Sequence, residues 1–145
     1  MCIRDRIRGI VFSCFDLLHA GHITMLEEAK EHCNYLIAGL HTSPEHKKNV
    51  IQSCFERYIQ LKGCKYVDEI IPYDSEDDLS NMLKTITPLH VRFLGEEYLL
   101  EKKIITGYNI CDKRDIKLHY CRRYHNYSTT ELKGRIASLS NAIES

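Results

Sequence analysis

The sequence lacks several features that mark familiar classes of protein. Lys plus Arg and Asp plus Glu both number 20, so the formal net charge is zero. A neutral chain has no overall field to hold a nucleic-acid backbone, and we expect no nucleic-acid partner. No apolar run approaches the ~18 residues of a membrane span, so we expect no membrane insertion. Any anionic ligand must therefore be bound by a local cluster of donors.

The seven cysteines form neither of the usual cysteine-based sites. Their number is odd and no two have the spacing C-x-x-C, so neither a disulfide framework nor a zinc site is indicated. We assign no metal ligand to the protein itself and predict buried, reduced thiols. Reduced thiols fit the cytoplasm. The charged N-terminus is not followed by the apolar segment of a secretory signal.

Short apolar segments alternate with longer amphipathic ones along the 145 residues. This length predicts one domain, which we place at residues 7–140, with a disordered leader at 1–6 and a tail at 141–145. The apolar segments predict buried strands at 9–15, 35–40, 67–72, 90–94 and 116–120. Helical periodicity and capping residues predict helices at 22–33, 53–63, 74–85 and 128–139. In the second helix we place Phe55, Tyr58 and Ile59 on one apolar face.

The alternation of strands and helices predicts an α/β fold. We expect a Rossmann-like parallel sheet of about five strands with helices on both faces. In such sheets ligands bind at the carboxyl ends of the strands, close to the point where the strand order reverses. The loop after the first strand is therefore the first place to look for a site.

That loop carries the pattern H-x-G-H, formed by His19, Gly21 and His22. A helix N-terminus offers backbone N–H groups to an anion, and both imidazoles could face it. Gly21 would allow a phosphate to approach the backbone closely. Asp16, just upstream, could orient an imidazole or help to place a metal. The sequence lacks the phosphate-binding loops G-x-x-x-x-G-K-[ST] and G-x-G-x-x-G, so the histidines would bind the phosphate instead. The pattern alone also fits two ordinary histidines at a helix start.

A second candidate anion site follows the last predicted strand. Arg122 and Arg123 precede the sequence Ser128-Thr129-Thr130-Glu131. Ser128 with Glu131 three residues later is a helix N-cap signal. Guanidinium groups beside a hydroxyl-capped helix N-terminus could bind phosphate. Taken alone, the segment fits equally well a solvated basic turn followed by a helix cap.

The segment 15–22, Phe-Asp-Leu-Leu-His-Ala-Gly-His, resembles the signature of the cytidylyltransferase-like nucleotidyltransferases. Further segments resemble that family in the same order between residues 7 and 137. They are the Glu-Arg pair at 56–57, the strand at 66–72, the Gly and acidic residues at 95–97, and Arg123 with 128–130. Length and pattern are most similar to the glycerol-3-phosphate cytidylyltransferases.

The resemblance implies transfer of CMP from CTP to a small phosphorylated alcohol similar to glycerol 3-phosphate, with release of pyrophosphate. It implies Mg²⁺ with the triphosphate, and a homodimer. It implies catalytic roles for His19, His22, Arg123 and a lysine, Lys47 or Lys48, and substrate contacts for Arg57 and Asp16. The residues implied to bind nucleotide are Ser13, Cys14, Phe15, Asp16, Gly21, Gly95, Glu96, Glu97, Ser128, Thr129 and Thr130.

The sequence also departs from the family pattern. Ser13 stands where the family usually has Gly, and Tyr124, His125 and Asn126 replace residues of the last motif. Two other functions therefore stay open. One is an adenylyltransferase of the same fold that acts on a sugar or pantetheine phosphate, and the other is a non-catalytic nucleotide-binding module.

Overall fold

The computed structural model describes residues 6–42, 50–123 and 125–144. The strands within these ranges are β1 (Arg8–Ser13), β2 (Tyr35–His41), β3 (Glu69–Tyr73), β4 (Val91–Gly95) and β5 (Lys117–Cys121). The helices are α1 (Ala20–Glu31), α2 (Cys54–Lys62), α3 (Glu76–Thr85), α4 (Glu97–Leu100), α5 (Tyr108–Lys113) and α6 (Thr129–Glu144). None of these described helices has the length and hydropathy needed to span a bilayer.

The five strands form one parallel sheet in the order β3-β2-β1-β4-β5. Ile10 in the central strand pairs with Ile37 of β2 on one side and Arg92 of β4 on the other. The chain runs outward from β1 to β3 and then crosses back to β4. The strand order therefore reverses between β1 and β4, which opens a crevice at their carboxyl ends. The predicted parallel sheet is confirmed.

Two hydrophobic cores cover the two faces of the sheet. Val11 belongs to the core that contains Leu26 of α1 and Leu61 of α2. Its neighbour Ile10 belongs to the other core, which contains Leu83 of α3 and residues of α5. Successive side chains of a strand point to opposite faces, so β1 contributes to both cores. Burying each such side chain contributes about 1.5–3 kcal/mol.

Several predicted boundaries differ from the structure. β1 ends at Ser13 because Phe15 has a φ of 51°, outside the extended region. Strand β3 covers 69–73 instead of 67–72. Helix α6 continues to Glu144, past the predicted end of the helix at residue 139. Most of the predicted leader, residues 1–5, lies outside the described residues.

The apolar face predicted for α2 is largely exposed. Phe55 is 69% exposed and Ile59 is 52% exposed, whereas Arg57 is 2% exposed. The helix presents Arg57 and Leu61 to the interior. The physical reason is that buried loop carbonyls need donors, which Arg57 supplies.

Candidate active site

Two histidines cap the N-terminus of α1 at the crevice between β1 and β4. His19 is the N-cap residue, and its Nδ1 accepts a hydrogen bond from the backbone N–H of Gly21 at 3.0 Å. His22, at position N3, uses its Nδ1 to accept from the backbone N–H of His19 at 3.2 Å. This is a capping box built from imidazoles. In this arrangement the rings of His19 and His22 are stacked, with their centroids 3.8 Å apart.

The capping bonds determine which ring nitrogens carry protons. An Nδ1 that accepts a hydrogen bond carries no proton, so in the neutral ring the proton is on Nε2. Burial, followed by the charges of His125 and Arg123, lowers the pKa of His19 below its ordinary value. His19 is therefore neutral at pH 7 and keeps its cap. Both histidines present Nε2–H donors, the form that can donate to a phosphate oxygen.

Gly21 is required by the protein's own packing. A Cβ at this position would lie 2.8 Å from the carbonyl oxygen of Tyr127 and 2.9 Å from Cε1 of His19. That Gly21 leaves room for phosphate stays a prediction. The structure shows that Gly21 also lets the loop before α6 lie against the start of α1. A side chain here would separate these two walls of the site.

The loop after β1 is held by the segment before α2. Asp16 is buried, and its carboxylate accepts from the backbone N–H groups of Ile51 and Gln52 at 2.9 and 3.0 Å. The side chain of Gln52 accepts in return from the N–H of Leu17 at 2.7 Å. Phe15 and Leu17 both have positive φ, which is unfavourable for such side chains. These hydrogen bonds hold the loop in that conformation.

Arg57 also holds the loop after β1, through hydrogen bonds to backbone carbonyls. Its guanidinium donates to the carbonyl oxygens of Cys14 at 3.0 Å, Thr42 at 2.8 Å and Gln52 at 3.3 Å, and also to that of His41. We predicted contacts with substrate for Arg57 and Asp16. Their polar atoms are used by backbone groups, and this geometry favours a positioning role over direct contact.

The opposite wall of the site comes from the segment between β5 and α6. The backbone N–H of Arg123 donates to Glu96 Oε1 at 2.8 Å, and the ring of His125 lies 3.0 Å from Thr24 Oγ1. Ser128 Oγ accepts from the N–H of Glu131 at 3.0 Å, which is the predicted cap of α6. The N-termini of α1 and α6 thus meet at one place. Two helix N-termini and Arg123 make this wall attractive to anions.

Between these walls lies a cavity of about 310 Å³, which we call the outer pocket. It brings together residues that the sequence had placed in separate motifs. The predicted site residues that line it are Ser13, His19, Gly21, His22, Gly95, Glu97, Arg123, Ser128 and Thr129. Its imidazole, guanidinium and hydroxyl groups are those that bind phosphate oxygens.

A second cavity of about 390 Å³, the inner pocket, shares Ser13, Gly95 and Glu97 with the outer one. It extends towards the ends of β2 and β3, where His41 and Tyr73 line it. Its further polar lining comes from Glu76, Arg92, Tyr98 and Thr106. A ligand in the inner pocket would meet one in the outer pocket at their shared residues.

Arg92 places a buried positive charge in the wall of the inner pocket. It is 4% exposed, its Nη1 donates to the carbonyl of Thr106, and its guanidinium lies 5.1 Å from the centroid of the Phe12 ring. Among the described residues, none accepts a hydrogen bond from its buried Nε. A buried donor without a partner costs about 1–3 kcal/mol, so a polar ligand here would be favoured.

Comparison with known proteins identifies the family. A family model described as cytidylyltransferase-like matches residues 10–135. The chain belongs to this family. The resemblance seen in the sequence is therefore confirmed, and the H-x-G-H turn and the segment before α6 lie within the matched region of this cytidylyltransferase-like chain.

Among its relatives, the ethanolamine-phosphate cytidylyltransferase of Dictyostelium discoideum is 32% identical over 139 residues, which cover 90% of this chain and 36% of that protein. The chain thus spans about a third of that relative's length. The glycerol-3-phosphate cytidylyltransferase of Bacillus subtilis (strain 168) is 30% identical over 133 residues, covering 90% of this chain and 97% of that protein.

Solved structures support the fold. The lipopolysaccharide core biosynthesis protein of Thermoplasma volcanium superimposes with a TM-score of 0.63 at 21% identity. The match covers 85% of this chain and 99% of that one. At this identity the likeness establishes the architecture of the cytidylyltransferase-like chain and carries no statement about its substrate.

The remaining predicted residues of this cytidylyltransferase-like chain lie in different places. Cys14 lines the inner pocket, and Phe15 is a core side chain that is 2% exposed. Glu96 lines an adjoining cavity of about 330 Å³, together with Arg123 and His125. Thr130 is exposed in the first turn of α6. Lys47 and Lys48 lie outside the described residues.

Sequence reasoning missed most of the inner pocket. His41 and Tyr98, to which the sequence analysis assigned no site, both line that pocket. A signal existed for Arg92, because a charged residue in the apolar strand Val91-Arg92-Phe93-Leu94 must be paired or face a polar cavity. No comparable signal marked His41, whose position depends on how β2 pairs with β1.

Proposed function

We propose that the protein transfers CMP from CTP to a small phosphorylated alcohol and releases pyrophosphate. The observation that carries this proposal is the outer pocket, in which His19, His22, Arg123 and the N-terminus of α6 face one another. Relatives named as cytidylyltransferases cover nearly all of this chain at about 30% identity, which supports the same reaction class. The reaction needs charge stabilisation and alignment more than covalent chemistry, and this pocket supplies both.

In the proposed reaction a phosphate oxygen of the acceptor attacks the α-phosphorus of CTP. A new P–O bond forms as the bond from the α-phosphorus to the bridging oxygen of pyrophosphate breaks on the opposite side. The Nε2–H groups of His19 and His22 donate to the α-phosphate and bridging oxygens, where negative charge increases. Arg123 and the first turn of α6, with Ser128 and Thr129, hold the β- and γ-phosphates.

We propose that the two pockets bind the two substrates separately. We place the triphosphate in the outer pocket and the base near Gly95, Glu96 and Glu97, with the acceptor in the inner pocket. The acceptor's phosphate would lie near Ser13, which lines both pockets, and its alcohol end towards Arg92. A buried guanidinium disfavours a cationic ammonium group there and favours hydroxyl groups. This supports a glycerol-like acceptor over ethanolamine phosphate.

Mg²⁺ would accompany the triphosphate. It prefers phosphate and carboxylate oxygens, and a carboxylate is present at the junction of the two pockets, on Glu97. The carboxylate of Glu97 folds over Gly95, on the pocket floor. The donor set therefore fits. Glu97 would hold the ion together with phosphate oxygens, and the ion would neutralise charge on the leaving pyrophosphate.

We also propose that the protein is a homodimer and acts in the cytoplasm. The exposed apolar side chains of Phe55 and Ile59 in α2, and of Ile51 just before it, support self-association. The free thiols of the described cysteines support a reducing compartment.

The test measures pyrophosphate released from each of CTP, ATP, GTP and UTP with Mg²⁺ and either glycerol 3-phosphate or ethanolamine phosphate. We expect turnover with CTP and glycerol 3-phosphate, and at least tenfold lower kcat/KM with ATP or with ethanolamine phosphate. Tenfold corresponds to about 1.4 kcal/mol of transition-state preference. Preference for ATP would contradict the cytidylyl assignment, and binding of CTP without turnover on any acceptor would favour the non-catalytic module.

A further inference from the structure

Three side chains with metal-ligating atoms converge behind the outer pocket, between α1 and β5. Glu28 projects from α1, while His119 and Cys121, two residues apart, lie on the same face of β5. Their ligand atoms all lie within 4.8 Å of one another. His119 Nε2 is 2.9 Å from Glu28 Oε2. None of these residues was assigned to a site by the sequence or by the nucleotide chemistry above.

The three groups match the preferences of zinc. Zn²⁺ takes thiolate, imidazole and carboxylate ligands at about 2.0–2.3 Å, which places tetrahedral ligands roughly 3.3–3.8 Å apart. The separation of 2.9 Å between His119 Nε2 and Glu28 Oε2, and the upper limit of 4.8 Å for the other pairs of ligand atoms, bracket this range. One Zn²⁺ with one thiolate, one carboxylate and one neutral imidazole has no net charge. A neutral assembly suits this half-buried position, where an unbalanced charge would be costly.

We propose that Glu28, His119 and Cys121 form a zinc site with its fourth position open to water. Glu28 and His119 are each 19% exposed, which leaves a route to solvent, while Cys121 is buried. On binding, the thiol proton of Cys121 passes to solvent. The proton that His119 Nε2 donates to Glu28 Oε2 passes through solvent to Nδ1, so that the unprotonated Nε2 binds the metal. The ring of His32, whose centroid is 4.1 Å from that of His119, helps to hold the ligand's orientation.

The position of this site connects it to the outer pocket. Glu28 Oε1 accepts from the backbone N–H of Arg122 at 3.1 Å, and this bond can persist while Oε2 binds the metal. Cys121 also lines the outer pocket. Zinc would therefore fix the end of β5 from which Arg122 and Arg123 extend. The site would stabilise the phosphate-binding wall without contacting the phosphates.

The test titrates metal-free protein with ZnCl₂ by calorimetry, without nucleotide and with excess Mg²⁺ present. We expect one equivalent to bind with a dissociation constant below about 1 μM. Co²⁺ should give thiolate-to-metal charge-transfer absorption and the intense visible bands of a tetrahedral site. Cys121→Ser and His119→Gln should each weaken zinc binding at least tenfold. Cys64→Ser, which changes a partly exposed thiol outside the cluster, should bind as the wild type does.

The effect of zinc on the Tm provides a second measurement for the case in which a variant folds poorly. Zinc should raise the Tm of the wild type and of Cys64→Ser by several degrees, and should leave that of Cys121→Ser unchanged. Equal zinc affinity in wild type and Cys121→Ser, or a cobalt spectrum without charge transfer, would overturn the proposal. Because no nucleotide is present, the result is independent of the reaction proposed above.

Discussion

At the residue scale, the chemistry of the outer pocket depends on how two imidazoles use their two nitrogens. Nδ1 of His19 and of His22 completes the cap of α1. In the reaction proposed above, the Nε2–H groups of the same rings donate to phosphate oxygens. In that reaction one pair of side chains would both cap the helix and supply the hydrogen-bond donors. Replacement by Ala would remove both properties together, so a variant that separates them is more informative.

We expect His19→Asn and His22→Gln to keep the helix and lose the reaction. Asn is a favourable N-cap residue, and Gln at N3 completes a capping box, so the Tm should change by only a few degrees. Neither can donate from the position of Nε2, and kcat should fall by about 10²–10³. Steady-state kinetics and thermal melts measure the two effects separately. His90→Gln, outside the pockets, is the matched control, and near-wild-type turnover in either test variant would refute the catalytic assignment.

At the element scale, the start of α2 serves to hold loops. Arg57 donates to carbonyls in three separate segments, at Cys14, at 41–42 and at Gln52. Asp16 ties the first of these segments to the third through Ile51 and Gln52. This cross-linking aligns the H-x-G-H turn with the sheet, which explains why a charged residue occupies the interior face of an otherwise amphipathic helix.

Arg57→Met should destabilise the fold. The change keeps much of the side-chain volume and leaves several buried carbonyls without a donor, at a cost of about 3 kcal/mol or more. For a domain of this size the Tm should fall by roughly 6–12 °C. Lys62→Met, an exposed substitution in the same helix, should leave the Tm nearly unchanged. An unchanged Tm combined with weaker CTP binding would instead assign Arg57 to the ligand.

At the scale of the whole molecule, the apolar surface of α2 has no partner within the described chain. Ile51, Phe55 and Ile59 are 60%, 69% and 52% exposed. An apolar stripe of this kind on an otherwise charged surface is typical of an interface. Because these side chains are already partly covered, burying each against a second copy would contribute about 1–2 kcal/mol.

We expect light scattering after size exclusion to give twice the 17.0 kDa mass of one chain. Phe55→Lys with Ile59→Lys should shift the protein to the mass of one chain while the far-ultraviolet dichroism stays the same. Ile104→Lys, at a side chain that is 94% exposed elsewhere, should keep the larger mass. A wild-type protein that is monomeric at about 10 μM would contradict the proposed homodimer.

The fold was largely predictable from sequence, and the site only in part. Apolar runs and caps predicted each strand of the sheet, and the H-x-G-H turn lies at the predicted strand end. Phe55 and Ile59 lie on the predicted apolar face, but periodicity does not determine what covers such a face. Arg92 and His41 were missed because the inner pocket is formed by segments far apart in the chain.

The sequence by itself determined the order of alternating elements, the parallel sheet and the family. Periodicity, capping and motif order are local properties of the chain, so they can be read without the tertiary structure. Only the tertiary structure decided that Asp16 and Arg57 hold loops, that Gly21 admits the carbonyl of Tyr127, and that Glu28 meets His119 across 91 residues. Each of these depends on the register between distant segments. A one-residue slip in β5 would turn His119 and Cys121 to the other face of the sheet.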